Sequence, residues 1–210
     1  AEIKMQEKIH KERKETWWKK IERKIVKIFL STIYKIAYRV KINGEVPEEG
    51  AYILCSNHIN YLDAAAIVLF NKRKVNFVAK EDVFTHGILF WLGHLFDAIP
   101  IKRDMQDIEA MKRCLKVLKK GELLGIFPEG TRKGMEKNMK AKNGAAFMAI
   151  KSNVKVIPVG IHGTFKPFSK VYVNYGKPID LSKYKNQKDK LDEATDIIMQ
   201  QIVNLTKKED

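Results

Sequence analysis

Apolar residues recur at helical spacing along the first forty positions of the chain. Trp18, Ile21, Ile25, Ile28 with Phe29, Ile33, Ile36 and Val40 fall at steps of three, four or five, which draws an apolar stripe along a helix. Lys19, Lys20, Arg23, Lys24, Lys27, Lys35 and Arg39 lie between them. Residues 1–43 are therefore predicted to be helical, and Gly44, Pro47 and Gly50 close the segment.

From Tyr52 onward the pattern changes to short apolar runs alternating with longer amphipathic ones. Tyr52–Ser56, Val75–Ala79, Ala98–Ile101, Leu123–Phe127, Val154–Ile161 and Lys170–Tyr175 read as strands, and 61–71, 105–120, 139–152 and 187–207 as helices. Such alternation predicts an α/β fold: a mixed, largely parallel sheet flanked by helices. The expected division is a helical segment, 1–44, and an α/β domain, 45–210. No internal repeat and no low-complexity tract interrupts it.

Composition sharpens this picture at three points. An apolar share of 45% with 10% aromatic residues excludes a disordered chain. A formal charge of +15 predicts attraction to polyanions: nucleic acid, anionic lipid headgroups or phosphorylated metabolites. The two cysteines, Cys55 and Cys114, form neither a CxxC pair nor a disulfide framework, so no structural zinc is expected. No run of about 18 uncharged apolar residues is present, so no spanning helix is expected.

The chemistry concentrates in two segments that each follow a predicted strand, where open α/β sheets place their ligands. The first is Ser56-Asn57-His58-Ile59-Asn60-Tyr61-Leu62-Asp63. Five residues turn a regular helix by roughly 500°, so His58 and Asp63 meet only if His58 lies in the turn and Asp63 in the first helical turn. Asn60 reads as an N-cap, with Asp63 at the third helical position. Two readings compete. Asp63 caps the helix and His58 is a loop residue, or Asp63 holds one ring nitrogen of a neutral His58 while the other faces a hydroxyl. Ser56 is a rival nucleophile within the chain, whereas Cys55 reads as a packed strand residue.

The second segment is Phe127-Pro128-Glu129-Gly130-Thr131-Arg132. Pro128 ends the strand, Gly130 lets backbone N–H groups approach a ligand, and Arg132 is suited to bidentate phosphate binding. A further turn, Ala98-Ile99-Pro100-Ile101-Lys102-Arg103-Asp104, carries two adjacent cations. Alternation sends them to opposite sides, so one of the two is expected to enter a site.

Together these segments resemble the four blocks of the glycerophospholipid acyltransferases, specifically the 1-acyl-glycerol-3-phosphate (lysophosphatidate) acyltransferase family. Asn57-His58-x4-Asp63 resembles the first block and Ile99-Pro100-Ile101-Lys102-Arg103 the second. Phe127–Arg132 resembles the third, and Val156-Ile157-Pro158-Val159-Gly160-Ile161 the fourth. Ala79-Lys80-x-Asp82 resembles a lysine-bearing segment between the first two, with Asp82 where the family usually has Glu. Asn60 stands where Ser is frequent, and Lys133 follows Arg132 where Ser is common. Thr131 fits the lysophosphatidate branch rather than the glycerol-3-phosphate one. The resemblance covers roughly residues 45–180.

What the resemblance implies is specific. His58 acts as general base on the glycerol 2-hydroxyl and Asp63 orients it, without a covalent acyl-enzyme. Arg103, Glu129, Gly130, Thr131 and Arg132 form the headgroup site, with Glu129 orienting Arg103 or a glycerol hydroxyl, and Lys80 meets phosphate or the developing oxyanion. No metal and no cofactor are implied beyond acyl-CoA or acyl carrier protein as co-substrate. The partners are lysophosphatidic acid, the acyl donor and an anionic membrane surface, not nucleic acid. Basic residues beside Trp17, Trp18, Phe29 and Tyr34 suit a helix in a headgroup layer, on the cytoplasmic face of the cell membrane; the competing reading packs the stripe on the catalytic domain. Gly87-Ile88-Leu89-Phe90-Trp91-Leu92 either joins the membrane face or lines an acyl tunnel. Rival functions are acyl transfer to another lysophospholipid or to glycerol 3-phosphate, thioester hydrolysis through Ser56, and a basic nucleic-acid or membrane-surface module. The nucleic-acid reading lacks a helix-turn-helix, RRM or KH signature.

Overall fold

The computed structural model describes residues 16–84, 87–102, 107–132, 134–135 and 139–207. Among them the helices are α1 (Trp17–Ala37), α2 (Asp63–Phe70), α3 (Gly87–Leu95), α4 (Ile108–Lys119), α5 (Gly144–Ser152) and α6 (Leu191–Thr206). The strands are β1 (Arg39–Asn43), β2 (Tyr52–Ser56), β3 (Val75–Lys80), β4 (Ile99–Ile101), β5 (Leu123–Ile126), β6 (Lys155–Gly163) and β7 (Lys170–Tyr175). They form one sheet in the order β1-β7-β6-β2-β5-β3-β4. Every neighbouring pair is parallel except β6 and β7. The sheet is thus mixed and largely parallel, as the alternation predicts.

Strand periodicity builds two cores, one on each face of the sheet. Ile53, Cys55, Leu124 and Val156 pack against Cys114 and Leu118 of α4, Ala146 and Ala149 of α5, and Ile198 and Ile202 of α6. Their neighbours Leu54, Leu123 and Ile157 point the other way, onto Ala66 and Ile67 of α2 and Tyr34 of α1. Both faces are covered, so the central strands read as continuous apolar runs rather than alternating ones.

The helical reading of residues 39–43 is corrected. Helix α1 ends at Ala37, where Tyr38 turns extended at φ −137°. Arg39–Asn43 then pairs in parallel with Lys170–Asn174, and Asn43 Nδ2 donates to Asn174 Oδ1 at 2.9 Å. Val40 falls in step with the apolar stripe of α1, so the spacing alone runs on past the end of the helix. The apolar stretch Gly87–Leu92 lies in a helix, Gly87–Leu95.

Helix α1 packs inward through Lys19, Arg23, Lys27 and Tyr34, while Lys20, Lys24 and Lys35 stay exposed. Tyr34 is its buried residue, with Tyr38 at 5.0 Å and Phe70 at 5.5 Å between ring centroids. Lys27 donates to the carbonyl of Asn71 at 2.5 Å. Arg23 donates to the Leu95 carbonyl at 2.7 Å and to Asp97 at 2.8 Å, and Lys19 pairs with Asp97 as well. Burial alone would raise the Asp97 pKa, but bonds from Lys19 and Lys74 hold it below the usual carboxylate value. Away from these contacts, Trp18, Ile25, Phe29 and Ile36 face outward and exposed. The alternative in which the apolar stripe packs on the domain is therefore not the arrangement found. Among the described residues, no helix is long and apolar enough to cross a membrane.

Candidate active site

Strands β2 and β5 are neighbours, with Cys55 level with Ile126, so the turns that follow them lie side by side. That adjacency brings the two chemical segments together at the carboxyl ends of the strands. His58 Nδ1 and Asp63 Oδ2 are 2.9 Å apart. The same carboxylate oxygen accepts the backbone N–H groups of Ile59 and Asn60, each at 2.7 Å. An acceptor already serving two donors fixes the tautomer: Nδ1 carries the proton, and Nε2 is left as the base. The imidazole side chain is 17% exposed and the Asp63 side chain 0%, so the base opens outward from a buried orienting group.

Asp63 begins α2, and no side chain caps the helix at Leu62. Asn60 is not the N-cap that the spacing predicts. Its Oδ1 accepts the Leu62 N–H at 3.0 Å, an Asx turn one step earlier. The effect is to tighten 58–63 enough for the five-residue spacing to close.

Three further contacts hold the turn, and local spacing carries no sign of them. Phe127 stacks on the His58 ring, centroids 3.9 Å apart and planes 6° from parallel. Phe77 backs Phe127 at 4.7 Å and lies over Gly125, where an added Cβ would meet its ring at 2.3 Å. Asn57 Nδ2 donates to the Ile161 carbonyl at 2.8 Å and Asn57 Oδ1 accepts the Ile161 N–H at 2.7 Å. This side-chain amide replaces a rung of backbone pairing between β2 and β6. Asn57→Ala strands two buried backbone groups, and urea unfolding should show a loss of about 2–3 kcal/mol; a loss below about 0.5 kcal/mol would remove that role.

Glu129 is 3% exposed; Oε1 accepts the His58 N–H at 3.0 Å and Oε2 the Met135 N–H at 2.7 Å. Burial pushes its pKa up, and these backbone bonds pull against that rise. The carboxylate braces the turn that carries His58 against the neighbouring one. Gly134 is part of this brace, since a Cβ there would stand 2.6 Å from Oε2. Gly130 adopts φ +64°, and the Lys142 stem passes 3.1 Å from where its Cβ would be. Lys142 is thus a cation at this turn that the motifs do not mark.

Arg132 lies over the Tyr61 ring, its Cζ 3.4 Å from the centroid. Thr131 and Arg132 are half-buried beside it. Lys80 ends β3 and is level with Ile101 of β4, so it belongs to the same carboxyl edge of the sheet. Arg103 lies outside the described residues. Cys55 and Ser56 are both buried; burial raises the Cys55 thiol pKa, and Ser56 Oγ donates to the Asn57 carbonyl at 3.0 Å. Neither is presented as a nucleophile. Among the described residues, no group of three or more His, Cys, Asp or Glu side chains is placed to hold a metal ion.

A buried carboxylate steering an outward imidazole, beside a basic glycine turn on a largely parallel sheet, is an arrangement able to take a proton from a hydroxyl. The chain belongs to the acyltransferase family, whose model matches residues 38–162. Three relatives bear the name 1-acyl-sn-glycerol-3-phosphate acyltransferase. A chloroplast protein of Arabidopsis thaliana is 31% identical over 68% of this chain and 41% of its own length. The protein of Streptococcus pneumoniae is 34% identical over 66% and 53%, and that of Bacillus subtilis 25% identical over 86% and 95%. The chain thus spans about half or less of the plant and streptococcal proteins. The fold is also that of the crystal structure of the 1-acyl-sn-glycerophosphate acyltransferase PlsC of Thermotoga maritima. The TM-score is 0.71 at 20% identity, covering 97% of this chain and 87% of that one.

Proposed function

We propose that this chain transfers a fatty acyl group from acyl-CoA or acyl carrier protein to the sn-2 hydroxyl of lysophosphatidic acid, giving phosphatidic acid. The observation that carries the reading is the His58–Asp63 pair at 2.9 Å, opening beside the Arg132 turn. His58 Nε2 takes the proton of the sn-2 hydroxyl, and the oxygen attacks the thioester carbonyl. The tetrahedral intermediate expels the thiolate, which takes the proton back from the imidazolium and leaves as thiol. Asp63 stabilises the imidazolium while it exists. Arg132, the glycine turn at Gly130 and Thr131, Lys80 and Arg103 bind the phosphate and the developing oxyanion. The names of the relatives support the acceptor.

The same proposal places the enzyme on an anionic membrane surface, peripherally or monotopically, at the cytoplasmic face. The outward stripe of α1 supports it, as do Ile88, Leu89 and Trp91 on the exposed side of the adjoining α3. The 1–44 segment would then be the anchor of an acyltransferase domain. The deciding assay follows thiol release from palmitoyl-CoA in detergent, with lysophosphatidate, lysophosphatidylcholine and glycerol 3-phosphate as separate acceptors. Release that depends on lysophosphatidate is expected. Acceptor-independent release would mean a thioesterase, and release with another acceptor alone would reassign the substrate.

A further inference from the structure

We propose that Tyr61 is a positioning residue for the acceptor: its ring fixes the plane of the Arg132 guanidinium and so aims the phosphate clamp. The inference rests on the reading of Arg132 as the phosphate-binding cation. Four observations lead to it. Arg132 Cζ lies 3.4 Å from the Tyr61 centroid. At that separation only a face-to-face placement avoids overlap, so the ring plane sets the guanidinium plane and its N–H fork points sideways. Next, Tyr61 is 73% exposed, so it contributes little to the core and its contact with Arg132 is not a by-product of burial. Third, among the described residues no carboxylate is bonded to Arg132, and the Tyr61 ring face is its one charge-directed contact there. Last, Tyr61 sits in the turn that Asp63 and Asn60 hold through the N–H groups of Ile59, Asn60 and Leu62.

The consequence is geometric. One short turn carries the base, its orienting carboxylate and the platform for the phosphate clamp. The distance from His58 to the bound phosphate is then set within residues 58–63 rather than across the whole fold. An acceptor held by its phosphate is thereby delivered with its hydroxyl at a fixed reach from the base. A neutral acceptor gains nothing from the platform.

The test is a set of steady-state measurements on the full chain with lysophosphatidate and palmitoyl-CoA. Tyr61→Ala is expected to raise KM for lysophosphatidate about fivefold, which is about 1 kcal/mol, with kcat and KM for palmitoyl-CoA within about twofold. Tyr61→Phe keeps the ring face and should restore KM. With neutral monoacylglycerol as acceptor, Tyr61→Ala should match the unsubstituted protein. Arg132→Ala should raise KM for lysophosphatidate far more, and adding Tyr61→Ala to it should change nothing further. The proposal is overturned if Tyr61→Ala leaves KM unchanged, if Phe fails as Ala does, or if the Tyr61 effect persists in full beside Arg132→Ala. An Arg132→Ala variant with an unaltered KM for lysophosphatidate would instead remove the phosphate reading itself.

Discussion

His58→Ala is expected to lower kcat for acyl transfer by about 10³-fold while leaving KM for both substrates within about threefold. General-base catalysis contributes about 10²–10⁴-fold, and Nε2 is the only basic atom of the pair turned outward. Thiol release measured beside the unsubstituted protein gives the number directly. Retention of a tenth of the activity would mean that another group removes the proton. Asp63→Asn should be nearly as damaging, for two separable reasons. The amide loses the charge that stabilises the imidazolium. It also places an NH2 where Asp63 Oδ1 now stands buried without a hydrogen-bond partner among the described residues, a cost of about 1–3 kcal/mol. Flipping the amide offers no escape, because the NH2 would then face the three donors at Oδ2. Thermal unfolding should separate the two variants by degree: Asp63→Asn, which strands a buried donor, melts earliest, while His58→Ala loses the Phe127 stack and one bond to Asp63.

The parts legible in the sequence were those whose physics is local. The central strands announced themselves because burial on both faces makes them uniformly apolar, and the His-x4-Asp spacing required a turn followed by a helix start. Asn60 reads as an N-cap, but the helix begins only at Asp63 and Asn60 closes an Asx turn before it, a distinction that sequence does not carry. Arg39–Asn43 was illegible for a different reason: its partner strand lies about 130 residues away, and a short edge strand with mostly exposed positions has no period of its own. Helix α3 escaped because a nearly uniform apolar run carries no phase.

The site divides in the same way. Which residues carry charge was readable, but what each charge touches depends on β2 lying next to β5. That adjacency makes Glu129 a brace on the His58 backbone, a contact the spacing does not announce. It also seats Phe127 on the imidazole and Arg132 over Tyr61. The chemical motifs are therefore better understood as two halves of one structure than as separate binding loops. Each half supplies a reactive group and also the support for the other half's reactive group.

The largest effect away from the chemistry is expected on α1. The triple variant Trp18→Glu, Ile25→Glu, Phe29→Glu should lower partitioning onto phosphatidylglycerol vesicles at least 100-fold. These side chains are 71%, 62% and 63% exposed, while Lys19 and Lys27 of the same helix turn inward to Asp97 and the Asn71 carbonyl. A helix in water alone would gain by the opposite orientation. Burying each of these side chains in an interface contributes up to about 1.5–3 kcal/mol, so losing three exceeds the roughly 2.7 kcal/mol that 100-fold represents. Each cation near an anionic surface adds about 1 kcal/mol, so the unsubstituted protein should bind phosphatidylcholine more weakly and loosen from phosphatidylglycerol as salt rises. Cosedimentation with the two vesicle types separates these contributions. Unchanged binding by the triple variant, at a melting temperature equal to that of the unsubstituted protein, would show that the outward stripe of α1 is not what meets the membrane.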